Sequence, residues 1–357
     1  MSNRLRFLYL GLLTLAQQSP LHAEILVGGY GDGVTPVPLR GFSDSANGNV
    51  APVRVLGGPT TGLKTPVGGV YEPVENVIYV ADFYGTAIRV FYANAYGDAA
   101  PARVVGPSYT GQARSAAVDV VHNELLAFTG GCCYAAFDRG AIGDVFFKRY
   151  VQWGGLSGSV TQQNSPGSLV YMAATDEVAE TDADSASPYT PKLLVFNRTD
   201  SGNTAPKRVL QGANTQFGSS AGGLTYDAAS RRLYVGAYTT NVDLSRSARV
   251  LVFDDSANGD VAPVRSIAGA ATGLELSATS YIGGLAIDPE HQHLIVSVSD
   301  YNAAAGNKLL VFAQGASGNT APLQTISGAS TGLPKSIGAP IWVSSERIFA
   351  NGFEGAP

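Results

Sequence analysis

The chain is poor in charge, in histidine and in cysteine. Only 14% of its 357 residues are charged, while Gly numbers 43. That pairing argues against a helical bundle or a disordered tail and fits a turn-rich all-β chain. Of four histidines, His22 lies in an N-terminal leader, and His122, His291 and His293 fall in tight turns. Little is left for acid–base chemistry. No nucleophile elbow and no P-loop is legible. No apolar run approaches the roughly 20 residues that a membrane helix needs. Bases do not outnumber acids: there are 23 against 28. Loss of Arg4 and Arg6 with the leader leaves 21 bases and a net charge of −7. Nucleic acid and anionic membranes are therefore poor partners.

What is present is one phrase, repeated. An apolar run ending in Phe leads to a polar turn such as Asp254–Asp260, then Ala-Pro and a basic residue, then a Gly-rich stretch with Thr-Gly-Leu. Clear copies carry Phe42, Phe91, Phe196, Phe253 and Phe312, and a degenerate copy carries Phe146 or Phe147. With Phe146 the spacings are 49, 55, 50, 57 and 59 residues. A period of this size built from strands and turns indicates a radial β-repeat. Each repeat reads as four strands. In the clearest, Leu294 to Val298 alternates with period two, as a half-buried strand does. Inner strands open on small residues, including Gly68-Gly69, Gly222-Gly223 and Gly283-Gly284, because strands converging on one axis leave no room for Cβ atoms.

The expected fold is a six-bladed β-propeller of four-stranded antiparallel blades, one of them closed by N- and C-terminal strands. Glu24 to Tyr30 and Arg347 to Gly352 both fit its second strand. Residues 1–23 read as a signal peptide cleaved after Ala23, residues 24–348 as the propeller and 349–357 as a short tail. A secreted or periplasmic location is expected.

Ile78-Tyr-Val-Ala-Asp82 followed by Ile88-Arg-Val-Phe91 resembles the NHL repeat and its YVTN-type relatives. The resemblance implies the propeller fold and a family that includes interaction scaffolds, lyases and, more distantly, metal-dependent lactonases. The ending Ile348–Glu354 resembles short tails of some exported bacterial proteins.

In a propeller, loops joining second to third strands share a face with those joining fourth to first. Here the former carry Asp82 with Phe83 and Tyr84, Tyr134 with Asp138, Tyr189, Tyr238 with Asp243, and Asp300 with Tyr301. A Tyr and Asp rim suits a sugar, a cationic ligand or a partner loop. Alternatively, Asp82 and Asp300 hold backbone N–H groups at strand ends. Glu180-Thr-Asp182-Ala-Asp184 alternates carboxylates as a Ca²⁺ loop does, without an EF-hand's Gly and distant Glu. The other reading is a solvated turn. Cys132 and Cys133 either close into a vicinal disulfide or pack as reduced thiols. Arg54, Arg103, Arg208 and Arg265, after Ala-Pro, are expected to cover blade seams with their stems. The function that follows is an exported, non-catalytic module binding protein or carbohydrate through the loop face. The rival is a lactonase-like, metal-dependent hydrolase or lyase; it needs carboxylate and amide ligands at the axial mouth, where the Gly and Ala pairs stand.

Overall fold

The apolar runs that define the repeat are buried on both sides, and this decides the architecture. In the computed structural model, residues 23–31, 34–129, 133–184, 189–275, 277–300 and 306–345 are described. They form six four-stranded antiparallel sheets, the blades, and a two-stranded ribbon. Blade 2 runs, from axis to rim, through Pro66–Glu72, Val77–Asp82, Ala87–Tyr92 and Arg103–Val105. Blade 5 runs through Ser220–Asp227, Arg232–Thr240, Arg246–Asp254 and Arg265–Ala268, and blade 6 through Ser280–Asp288, His293–Asp300, Lys308–Ala313 and Gln324–Ser327. The second strand of blade 6 is therefore not half-buried: Leu294 to Val298 are buried at every position. A sheet between two neighbours has no solvent face, so its central strands read as continuous apolar runs. The core is six clusters, one per seam between adjacent blades. In blade 2, Ile78 and Val80 face one seam while Val77, Tyr79 and Ala81 face the other.

Blade 1 is assembled from both ends. Ile341–Val343 is its inner strand and Glu24–Val27 its second, in register Ile25 to Trp342. The N-terminal candidate thus supplies the second strand. The ribbon of Gly29–Tyr30 with Ser336–Ile337 adds a second clasp. Near the axis the crowding is real. A Cβ on Gly284 would lie 2.3 Å from that of Ala339.

The third blade corrects the repeat alignment. Its third strand is Cys133–Asp138, and Phe137 pairs with Leu125 as Phe91 pairs with Ile78. Phe137, not Phe146 or Phe147, holds the repeat position. Phe146 and Phe147 stand where other blades have Ala-Pro, and Tyr109 packs edge-on against both. A second aromatic in the degenerate copy drew the match nine residues too far along the chain.

The recurrent polar turns latch the ring. In each, a Gly with φ between 60° and 80° (Gly48, Gly97, Gly143, Gly202, Gly259, Gly318) bridges to the outermost strand, or just beyond it, in the preceding blade. Gly259 N–H, for example, donates to Val209 O at 2.8 Å. The Asp or Asn after it accepts backbone N–H groups of that same blade, as Asp260 does from Asn214 at 2.7 Å and Asn49 from Ser330 at 2.7 Å. Only a residue tolerant of positive φ permits this strap. The outer arginines cross the seams with their heads rather than only their stems. Arg54, Arg149, Arg208 and Arg265 each donate to a backbone carbonyl of the following blade.

Candidate functional site

Most acids expected on the loop face are committed to backbone or side-chain donors of the chain itself. Asp82 is buried and accepts from Thr65 N at 2.6 Å, Lys64 N at 3.1 Å and Arg89 Nε at 2.9 Å. Asp182 accepts from Asn164 N at 3.0 Å and Ser165 N at 3.1 Å. Asp300 accepts from the hydroxyls of Ser277, Thr279 and Ser280 at 2.8–2.9 Å. These carboxylates bind the loop preceding the inner strand to the end of the second strand. Asp184 meets Lys192 Nζ at 2.7 Å and Gln211 Nε2 at 3.0 Å. A Ca²⁺ ion at Asp182 and Asp184 would have to displace these donors.

The aromatic residues divide. Tyr134 leaves the rim: it is 1% exposed, on a core strand, with its ring 5.9 Å from that of Phe196. The corrected register of the third blade places it there. The same register puts Asp138 at the opposite end of its strand, beside Glu124. Tyr189 is 65% exposed and outside the cleft described below. Tyr84 packs against Phe83 at 5.0 Å, and Phe83 against Tyr30 at 5.5 Å. Tyr301 lies outside the described residues. Cys133 is disulfide-bonded; Cys132, the only other cysteine of the chain, also lies outside them.

Tyr238 does line a cleft, and its neighbours were not legible as a site. Ser220, Gly222, Gly236, Tyr238, Arg246, Tyr281 and Ile282 enclose about 320 Å³ between blades 5 and 6. The two inner strands begin earlier than their Gly pairs, and both bulge there, at Ala221–Leu224 and at Ile282–Gly284. Bulges re-aim side chains, and Gly222 leaves open space: a Cβ there would meet nothing nearer than Ile282 O at 3.8 Å. The Arg246 guanidinium stands 4.6 Å above the Tyr238 ring and donates to Ser280 O through Nη1. Its Nε has no hydrogen-bond partner. Beyond Arg246 a second cleft of about 340 Å³ includes Gln216, Asn241, Ser247, Arg249 and Glu275. Arg249 donates to Thr239 Oγ1 at 2.7 Å. Burial pushes its guanidinium below the ordinary range, with no carboxylate to offset it. Among the described residues no carboxylate lies within ion-pair distance of Arg246 or Arg249. The signals for this site were Tyr281 just before the Gly pair and the basic Arg246–Arg249 stretch opening a third strand.

A different cluster occupies the opposite, turn face. Asp119, His122 and Asp176 bring one ligand atom each within 4.8 Å of one another. Arg198 is already there, with Nε 2.7 Å from Asp176 and 3.4 Å from Asp119, and Nη1 3.2 Å from Glu124. A guanidinium supplies the positive charge that an ion would bring.

These features define a six-bladed β-propeller with a cationic and aromatic cleft on its loop face. A chain of the crystal structure of a nidogen/laminin complex is similar in fold, with a TM-score of 0.56 and 13% identity, covering 90% of this chain and 99% of that one. Kuenenia stuttgartiensis hydrazine synthase is similar at a TM-score of 0.45 and 10% identity, over 76% of this chain and 66% of that chain. No family model and no curated protein matches the sequence.

Proposed function

We propose that this propeller is a binding module whose partner docks on the loop face over the blade 5–6 cleft. The observation that carries the reading is Arg246. It lines both clefts, stacks on Tyr238 and lacks a carboxylate partner among the described residues. Tyr and Arg dominate the energetics of protein interfaces, where an amphipathic ring and a guanidinium fork give area and direction together. The similar chain comes from a protein–protein complex of nidogen and laminin, which accords with a protein as partner here. Export, as the leader suggests, and kinship to NHL or YVTN-type repeats belong to the same reading.

The test is selection of displayed random peptides on the purified chain. Enriched peptides are expected to lose binding in Tyr238→Ala and keep it in Tyr92→Ala, an exposed ring at the turn end of blade 2. Failure to enrich any peptide, or binding indifferent to Tyr238→Ala, would overturn the assignment.

A further inference from the structure

We propose that the two clefts flanking Arg246 form one continuous site for an acidic peptide segment of a partner protein, its carboxylates held by Arg246 and Arg249. The inference rests on the binding-module reading and names the chemistry of the partner. Three observations carry it. First, the charge is local and of the wrong sign for this chain, whose formal net charge is −5. Of the other cations of the third strands on this face, Arg89 and Lys192 are paired with Asp82 and Asp184, while Arg40 and Lys308, like Arg246 and Arg249, make no ion pair among the described residues; of these four, only Arg246 and Arg249 line the clefts. Arg246 and Arg249 have no such ion pair among the described residues.

Second, the donors are unfinished. Arg246 gives Nη1 to Ser280 O, while its Nε, like those of the seam arginines Arg54, Arg103, Arg208 and Arg265, is buried without an acceptor; of these five, Arg246 is the one that lines the clefts. A buried N–H without a partner is costly, so an acceptor entering the cleft is favoured. Carboxylate is the acceptor whose two oxygens match a guanidinium fork. Arg249 is part-buried and donates only to uncharged acceptors, Thr239 Oγ1 and the carbonyls of Gln216 and Ser247, so an incoming anion would supply the opposite charge.

Third, the two cavities share a lining residue. Cavities of about 320 and 340 Å³ meet at Arg246, one with Tyr238 and Tyr281, the other with Asn241, Ser247 and Arg249. An extended segment can set one carboxylate on each arginine and lay its backbone against the hydroxyl and amide groups between them. Glu275 also lines the second cleft, and its charge acts on Lys308.

The test is calorimetric titration of the purified chain with hexaglutamate, beside hexaglutamine, hexalysine and glutarate. Hexaglutamate is expected to bind, more weakly as ionic strength rises. Arg246→Gln and Arg249→Gln should each weaken it roughly tenfold, the loss of one charge-assisted contact. Gly222→Val, which fills the first cleft where a Cβ has room, should weaken it as well, with an unfolding midpoint near the wild type. Arg232→Gln, on the turn face, should leave binding unchanged. Hexaglutamine binding as tightly, and still lost in Tyr238→Ala, would overturn the acidic class while leaving the binding module standing. Glutarate binding as tightly as hexaglutamate would overturn the segment in favour of a small dicarboxylate. Hexaglutamate binding unaffected by either arginine variant would overturn the site. Absence of binding by every probe would overturn the acidic segment, while the peptide selection separately judges the module.

Discussion

The rim and the loop face of this disc are built on opposite terms. Around the rim, every seam carries the same strap. A left-handed Gly bridges to the preceding blade, and the Asp or Asn after it caps that blade's next turn. On the loop face, second-to-third connections span four residues in blade 2, five in blade 5 and eleven in blade 1. The turn face, next to the rim, is filled with ion pairs, among them Glu24 with Arg54, Glu72 with Arg139 and Glu177 with Arg208. The loop face leaves Arg246 and Arg249 without an ion pair among the described residues. Repetition here marks what holds the ring together, and departure from repetition marks where the chain is free to recognise something.

The comparison can be broken most forcefully at Arg198. Arg198→Met would leave Asp119 and Glu124, both buried, with a deficit of positive charge. A loss of about 3 kcal/mol in urea unfolding is expected. A variant as stable as the wild type would mean that the turn-face network is decorative. Asp260→Ala removes one of six straps and should cost about 1 kcal/mol, as a lost helix cap does. Arg246→Gln and Arg249→Gln should fall within about 0.5 kcal/mol of the wild type. A loop-face variant that unfolds the ring would erase the distinction between the two regions.

The seam between blades 3 and 4 sharpens the contrast through pH. Glu180 is fully buried, and desolvation, reinforced by Asp182, pushes its carboxyl well above the usual range. Burial pushes Asp182 up to about 6, against the backbone N–H groups and Lys192 that oppose it. Both groups take up protons on folding. Their contribution is full below the ordinary carboxylate range and declines as pH rises through their folded values. Glu124 and Glu177 behave oppositely. Burial pushes them up, but hydrogen bonds and charge from Arg149 and Arg208 outweigh it and hold each at about 2. Their contribution is present above the ordinary range and lost as pH falls toward that value. Glu180→Gln keeps the shape and removes the proton uptake. It should raise the unfolding midpoint more at about pH 8 than at about pH 4. An equal effect at both would show that Glu180 is not held protonated.

Much of the fold was legible because the repeat is written in residues with narrow physical roles. Phe42, Phe91, Phe196, Phe253 and Phe312 are all buried at equivalent register positions. The Gly pairs mark the crowded axis, and the closing blade followed from unmatched strands at the two ends. The third blade was misread because Phe146-Phe147 offered a better match than Phe137, and Tyr134 was carried onto the wrong surface with it. The polar straps were legible as turns, though not as latches, since their partners lie a whole blade away. The cleft was the least legible part. Whether an Asp near a strand end faces a ligand or its own backbone depends on the preceding loop, and Lys64, Thr65, Asn164 and Ser165 settle that for Asp82 and Asp182. An arginine without an acid partner is visible only once every acid around it has been placed.

The most direct measurement is amide hydrogen exchange of the purified chain with and without saturating hexaglutamate. The account predicts slowed exchange confined to the loop-face ends of blades 5 and 6, around Ser220, Tyr238, Arg246 and Ser280, with the straps at Gly202, Gly259 and Gly318 unchanged. Slowed exchange on the turn face around Asp119 and Arg198, or no change anywhere, would contradict it.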